Sequence, residues 1–485
     1  MAFSPFSATI VHMATFHATA LIRSGKELSW SEQLRMVLQL SFPAIMSHIS
    51  SIVMQYADAA MVGRLGAADS ASIGLVSSST WLFGGLCTSI VVGFSVQVAQ
   101  AIGAKEDGKA RNLMKEGILV SLAFSFLLLF LGWGISSSLP GWLGGEEAIR
   151  DNASSYFLVY ALALPFMQLN AVSSSMLQSS GNMKVPSILN ILMCCLNILF
   201  NSLFIFSSGV KTLFGLPFWF PGLGLGVTGA ALATMLSQAV ISLLMVLFLL
   251  FHSPLLGMRK GERIAFSAKD LKAAVKLSIP VGFEQVVMSG AMVATTRIIS
   301  PLGTIAIAAN SFAITAEGLC YMPGYGIAEA AATLVGQAYG AGRKKLARQL
   351  GWMSTGLGML IMTCTGILLY TCASSMMAIF SPDAEIVRTG AEVLRIEAFA
   401  EPFFAASIVA SGVLRGAGDT FVPSLLNFLS MWCVRIPLAL ILVPKVGLKG
   451  AWIAMCGELC VRGLLFLIRQ KWGKWLDRNP VIAIE

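Results

Sequence analysis

VPSILN (185–190) and VPSLLN (422–427) differ at one position and lie 237 residues apart. The same offset carries LSFP (40–43) onto LSIP (277–280), Leu65-Gly66 onto Leu302-Gly303, and QAIGA (100–104) onto QAYGA (337–341). It also sets Arg111 and Leu113 on Arg348 and Leu350, Pro165-Phe166 on Pro402-Phe403, and Leu177 and Gly181 on Leu414 and Gly418. No gap is needed over about 160 residues, so the chain is two copies of one unit. Beyond that the offset falls to 221, aligning GVTGA (226–230) with GLKGA (447–451). The first copy therefore holds 16 extra residues, SSGVKTLFGLPFWFPG (207–222), which read as an aromatic interfacial hairpin on the outer side.

Each unit is built for a bilayer. Hydrophobic residues make up 56% of the chain and charged residues 12%, about half the charge of a soluble protein. Apolar runs long enough to cross a membrane as a helix recur along the whole length. They fall at 34–61, 71–99, 112–137, 150–178, 184–207 and 225–251, then at 271–299, 304–335, 346–373, 386–414, 420–443 and 447–470. This predicts an all-α polytopic membrane protein of twelve transmembrane helices in two six-helix bundles. An even number of spans returns the chain to its starting side, so both copies share one orientation. They are then related by a parallel pseudo-two-fold axis along the membrane normal. The expected organisation is an N-terminal tail (1–33), a first lobe (34–251), the linker HSPLLGMRKGERIAFSAKD (252–270), a second lobe (271–472) and a C-terminal tail (473–485).

The net charge of +9 reports topology, not nucleic acid. Of 33 Lys and Arg, seven fall in odd-numbered connections (Arg64, Arg150, Lys211, Arg297, Arg388, Lys445 and Lys449) and three within spans (Arg395, Arg435 and Arg462). The other 23 lie in the tails and even-numbered connections, the positive-inside signature. Both termini are therefore expected in the cytoplasm, with the protein multi-pass in the inner cell membrane. All nine cysteines lie in apolar runs, which excludes a loop disulfide framework and reads as packing. Residues 1–33 make a poor signal peptide and are expected to be disordered or surface-lying, with Met13 or Met36 as alternative starts.

Together the proline-led first span ending D-x-x-x-V-G-x-L-G, the QAIGA and QAYGA segments after each second span, and GVLRGAGDTFVPSLLN (412–427) resemble the multidrug and toxic compound extrusion (MATE) family. The likeness runs from about residue 34 to 472. It implies a two-lobed exporter of organic cations and drugs, driven by inward-moving H⁺ or Na⁺. It also implies hinge or packing roles for Pro43, Pro280, Gly103 and Gly340.

Asp58 sits in the outer part of the first span, in MQYADAAMVGRLG (54–66). A charge at membrane depth costs roughly 2.5–3.5 kcal/mol on insertion scales, and persists where it meets a wet cavity, a partner or a cation. It either reaches headgroup water or caps the second span, or it binds the coupling cation; the resemblance implies the latter. Asn197 and Asn201 are four apart and share one helix face, as interhelical glue or as partners of Asp58. The resemblance adds Thr234 to a cation-coupling set of Asp58, Asn197, Asn201 and Thr234, with Na⁺ placed at the first three. Carbonyl, hydroxyl and carboxylate oxygens suit a hard cation, and a carboxylate alone suffices for H⁺, so the ion stays open.

The second copy does not repeat this cluster: Asp58 falls on Thr295, and Asn197 and Asn201 on Val434 and Leu438. Instead it holds Glu284, Glu317, Glu329, Glu397 and Glu401. Glu284 and Glu401 are candidates for substrate attraction or a secondary cation site. Glu329 and Glu397 read as structural, paired with Arg395 or Arg435. Some sodium-coupled MATE relatives carry acids on helices seven and ten where this chain has Met288 and Phe404. GLGLGVTG (222–229) matches the dinucleotide fingerprint but follows no strand-to-helix turn, and no P-loop, HExxH or nucleophile elbow occurs. The expectation is a monomeric cation-coupled antiporter that is not an enzyme and takes no cofactor. Its partners are membrane lipids and small organic cations, not nucleic acid. The alternative is a flippase of lipid-linked oligosaccharides or lipids from the same wider superfamily.

Overall fold

The structure, a computed structural model, describes residues 18–213, 216–259, 261–262 and 265–477. Six helices build the first lobe: α1 (Trp30–Gly63), α2 (Ala67–Gly103), α3 (Asp107–Ile135), α4 (Glu147–Ser179), α5 (Lys184–Ile205) and α6 (Gly226–His252). The second lobe has α7 (Ala268–Ile299), α8 (Thr304–Gly340), α9 (Lys344–Phe380), the pair α10a (Ala384–Glu397) and α10b (Glu401–Gly416), α11 (Phe421–Val446) and α12 (Leu448–Trp472). Eleven of these are single helices long and apolar enough to cross a membrane. The twelfth, α10, is interrupted at 398–400, just before Pro402, which has no N–H for an i−4 bond. Its repeat partner Pro165 lies inside an unbroken α4.

Helix ends run past the apolar spans into polar sequence. α1 begins at Trp30, not 34, because Ser29 and Glu32 close a reciprocal capping box. α11 takes a π-helical turn at Ser430–Arg435, just ahead of Pro437, which again lacks a donor. The 207–222 insertion is an antiparallel hairpin of Ser207–Leu213 and Leu216–Leu223.

The lobes meet pseudo-symmetrically. α1 packs on α8 as α7 packs on α2, and α2 and α8 also touch each other. Each lobe has its own apolar interior, one around Phe94, Met114, Met176 and Met245, the other around Ala313, Leu369, Trp452 and Leu459. Outward-facing Phe42, Trp81, Leu127, Phe130, Ile279, Leu360 and Ile367 remain more than half exposed, a surface suited to lipid.

The described parts of both tails pack onto the lobes. Residues 18–23 are helical, and Ala18, Thr19 and Ile22 are buried; Met13 lies outside the described residues. At the other end Trp475 and Leu476 are buried. The linker is docked as well: Asn112 on α3 bonds the backbone of Ala265 in both directions, and Glu116 accepts from Ser267 N–H. The end of the molecule carrying the start of α1, this linker and the end of α12 is called the basic end below.

Candidate functional site

Asp58, near the far end of α1 from the termini, points into the first lobe. Asn201 on α5 donates a hydrogen bond from Nδ2 to its carboxylate. The same amide donates to Asn197 Oδ1 at 3.0 Å, Asn197 donates to Thr234 Oγ1 on α6 at 3.2 Å, and Thr234 donates to Ala230 O at 3.1 Å. The four residues thus form one polar file across three helices. Asn197 and Asn201 are fully buried, and Asp58 is half-buried at the open end of the file. Asn201 Oδ1 is buried with no hydrogen-bond partner. An orphan carbonyl oxygen beside a carboxylate is a ready ligand for a cation, since leaving such a group unpaired is costly. Among the described residues no three His, Cys, Asp or Glu side chains converge as a metal site. A single carboxylate with amide and hydroxyl oxygens fits a monovalent cation.

In the second lobe the matching positions are silent. Thr295 turns its hydroxyl onto Ala291 O of its own helix at 2.8 Å. Glu284 lies apart from the Asp58 file and is engaged on both oxygens. Arg415 Nη2 is 2.8 Å from each, Ser424 Oγ and Asn427 Nδ2 donate at 2.8 Å, and the glutamate is 4% exposed. That arrangement ties α7 to α10b and α11 and leaves no lone charge for a substrate.

Glu401 belongs to a group that the sequence reading recognised only in part. Glu317, Glu397, Glu401 and Glu458 are buried; Glu397 lies within electrostatic reach of the other three and of Arg435, and Glu317 within reach of Arg435 and Arg462. Arg462 Nε pairs with Glu458 at 3.0 Å and its guanidinium lies over the Phe404 ring. Neither oxygen of Glu397 or Glu401 has a hydrogen-bond partner. Four acids against two guanidiniums leave two negative charges, so balance needs two further positive charges, protons included. The i,i+4 spacing of Glu458 and Arg462 was the available signal for this group.

Glu329 pairs with neither Arg395 nor Arg435. His48 Nε2 on α1 is 3.1 Å from one of its oxygens, and Gln178 on α4 donates to the other at 3.0 Å, so this acid ties the second lobe to the first. Arg395 instead donates to Tyr370 O and Ser374 Oγ on α9.

Toward the basic end the lobes are sealed by the repeated QA-x-GA segments. Gln337 Nε2 donates to Ser179 O at 2.8 Å, and Gln100 Nε2 donates to Gly416 O at 3.2 Å; the two bonds are related by the 237-residue offset. A Cβ on Gly103 would lie 1.9 Å from Gln337 O, and one on Gly340 2.0 Å from Gln100 O. These glycines are sites of backbone contact between lobes. Pro43 and Pro280 lie inside α1 and α7, each costing its helix one backbone bond.

A family model described as MatE matches residues 43–203 and 280–441, one segment in each half. The chain is 28% identical over 456 residues to a Thermotoga maritima protein described as a probable multidrug resistance protein NorM, with 93% of this chain and 94% of that one aligned. A solved MOP superfamily transporter from Pyrococcus furiosus, described as having a binding pocket of reverse polarity, superposes with a TM-score of 0.85 at 21% identity, covering 95% of this chain and 99% of that one. A multidrug resistance MATE family transporter of the MOP superfamily, solved in an outward-facing conformation, superposes with the same score, identity and coverage. At such identity the two structures speak for the fold alone.

Proposed function

This chain belongs to the MatE family of multidrug efflux transporters, and we propose that it is a secondary antiporter exporting organic cations in exchange for H⁺ or Na⁺ bound at Asp58. One observation carries this reading: the Asp58 carboxylate is turned inward onto Asn201, at the open end of a buried file that ends at Thr234. A carboxylate held there is neutralised by a cation arriving from the open side. Asn201 Oδ1, a buried oxygen of the file that lacks a partner, is the natural second ligand for Na⁺, whereas H⁺ needs only Asp58.

The second-lobe acids around Glu401 are a secondary cation site in this reading. Glu284 is structural. The positive-inside bias supports placing the basic end in the cytoplasm of the inner membrane. The seal at Gly103 and Gly340 then closes the cytoplasmic side. Rocking of the lobes about their interface alternates access. An inward-moving cation supplies about 2.3 kcal/mol per charge for each 100 mV.

The test is ethidium flux in proteoliposomes under an imposed pH or Na⁺ gradient. The wild type is expected to respond to at least one gradient. Asp58→Asn should remain monodisperse and equally helical, yet lose at least tenfold of the gradient-driven flux. Equal flux from Asp58→Asn would remove this residue from the mechanism. Silence under both gradients, together with transfer of a labelled lipid between leaflets, would instead favour the flippase reading.

A further inference from the structure

The segment preceding α1 touches both lobes at the basic end. Thr19, 3% exposed, sits where its hydroxyl reaches Ser180 O of the first lobe (3.3 Å) and Gln337 Oε1 of the second (3.0 Å). Gln337 is the residue whose amide already crosses the seam to Ser179 O. Four residues on, Arg23 donates from Nε to Ile102 O at 2.8 Å and pairs with Asp107, both at the α2–α3 corner of the first lobe. From the second lobe Arg343 donates to the carbonyls of Leu21 (3.2 Å), Ile22 (3.0 Å) and Lys26. Ala18 and Ile22 are buried in an apolar cluster drawn mainly from α8, α9 and α10b of the second lobe, including Tyr339, Leu346 and Ala347, with Met36, Val37, Leu40 and Ala44 of α1.

We propose that residues 18–28 are a latch across the two lobes at the basic end, which must let go of the first lobe whenever the protein opens to that side. The asymmetry of the contacts sets which half releases. Toward the second lobe the strap offers buried apolar side chains and three backbone carbonyls gripped by one guanidinium. Toward the first it offers polar contacts, and the Arg23–Asp107 pair is partly exposed, with side chains 17% and 32% accessible. Such a pair is weak and salt-sensitive. The strap is also held at its far end, where Ser29 caps α1. A released first-lobe contact therefore leaves the strap tethered and able to rebind. This rests on the rocking motion proposed above, but concerns which state is populated, not which ion or substrate moves.

The test reads distance as well as flux. Spin labels are placed at Lys109 in the first lobe and Lys344 in the second, with the exposed cysteines Cys195, Cys364, Cys372 and Cys433 replaced. Wild type should give a mainly short distance across the basic end. Arg23→Asp and Asp107→Arg should each raise the long-distance population about fivefold, the scale of one partly exposed charged contact. The double exchange should restore the short distance, which also shows that the single variants fold. A truncation lacking residues 2–24 should open further than either. An unchanged distance in the truncation overturns the latch, and failure of the double exchange to restore it overturns the Arg23–Asp107 contact as its catch. Loss of ethidium flux with all distances as expected would count against the antiport reading alone.

Discussion

Asp58 and Asn201 are 143 residues apart in the chain and meet through one hydrogen bond. Replacing Asn201 with Leu removes the donor, strands Asn197 Oδ1 and takes away the orphan carbonyl oxygen in one step. A hydrogen bond to a charged group is worth roughly 1.5–3 kcal/mol, so the half-saturating ion concentration for efflux should rise about tenfold or more. Leu438→Asn, at the equivalent place in the second lobe, should leave it unchanged. Equal shifts in both variants would reduce Asn201 to packing. The i,i+4 spacing put Asn197 and Asn201 on one helix face, while their grouping with Asp58 and Thr234 came from the family resemblance. The partner of Glu329 was not readable. His48 lies on the other lobe, and nothing local in SHISS announces an acid across the seam. The partner of Glu284 was hidden for a related reason: Arg415 is 131 positions away, near the end of α10b.

At the scale of elements, the spans were legible to within a few residues, because apolar length is what a bilayer demands. Their polar extensions and attachments were not. The linker between the lobes reads as a basic loop, yet Glu262 in it bonds Arg111 Nε at 2.8 Å and Lys115 Nζ at 3.1 Å on α3. The Arg111 hydrogen bond, with a further contribution from Lys115, holds the Glu262 carboxyl below the usual carboxylate range. Since the docked state binds its proton less tightly, docking gains from ionised Glu262 at any pH above the ordinary value near ~4.3. That gain is lost as pH falls through the lowered value. Amide exchange at Ala265 and Ser267, corrected for intrinsic rate, should show full protection at pH 7. Protection should drop about fivefold below the carboxylate range, and by a similar factor in Glu262→Gln at pH 7. Protection that ignores both pH and the substitution would mean the linker is held by Asn112 and Glu116 alone. From residue 18 on, the N-terminal segment is docked where a disordered or surface-lying tail was expected. Thr19 interrupts the apolar pattern there because it bonds both lobes.

For the whole molecule, duplication matters because it makes a two-sided seal out of one motif. Gln100 and Gln337 each reach a carbonyl on the opposite lobe, and Gly103 and Gly340 let the two backbones touch beneath them. A single methyl at either glycine meets a backbone oxygen at about half a normal contact distance, so the helices must part. Overpacking of this kind costs roughly 1–3 kcal/mol, and here the cost falls only on the state closed at the basic end. Gly340→Ala and Gly103→Ala should therefore shift the Lys109–Lys344 distance toward the open form by fivefold or more, and to similar extents. The pseudo-two-fold axis makes the second half of that statement the stricter one, since it requires the two crossings to be equivalent. If Gly340→Ala opens the seal and Gly103→Ala does not, the crossing is not an equivalent pair, and the motion must turn about the second lobe's segment alone. If neither opens it, the glycine contact is incidental to closure, and the weight falls on the amide bonds and on the His48–Glu329 pair above them.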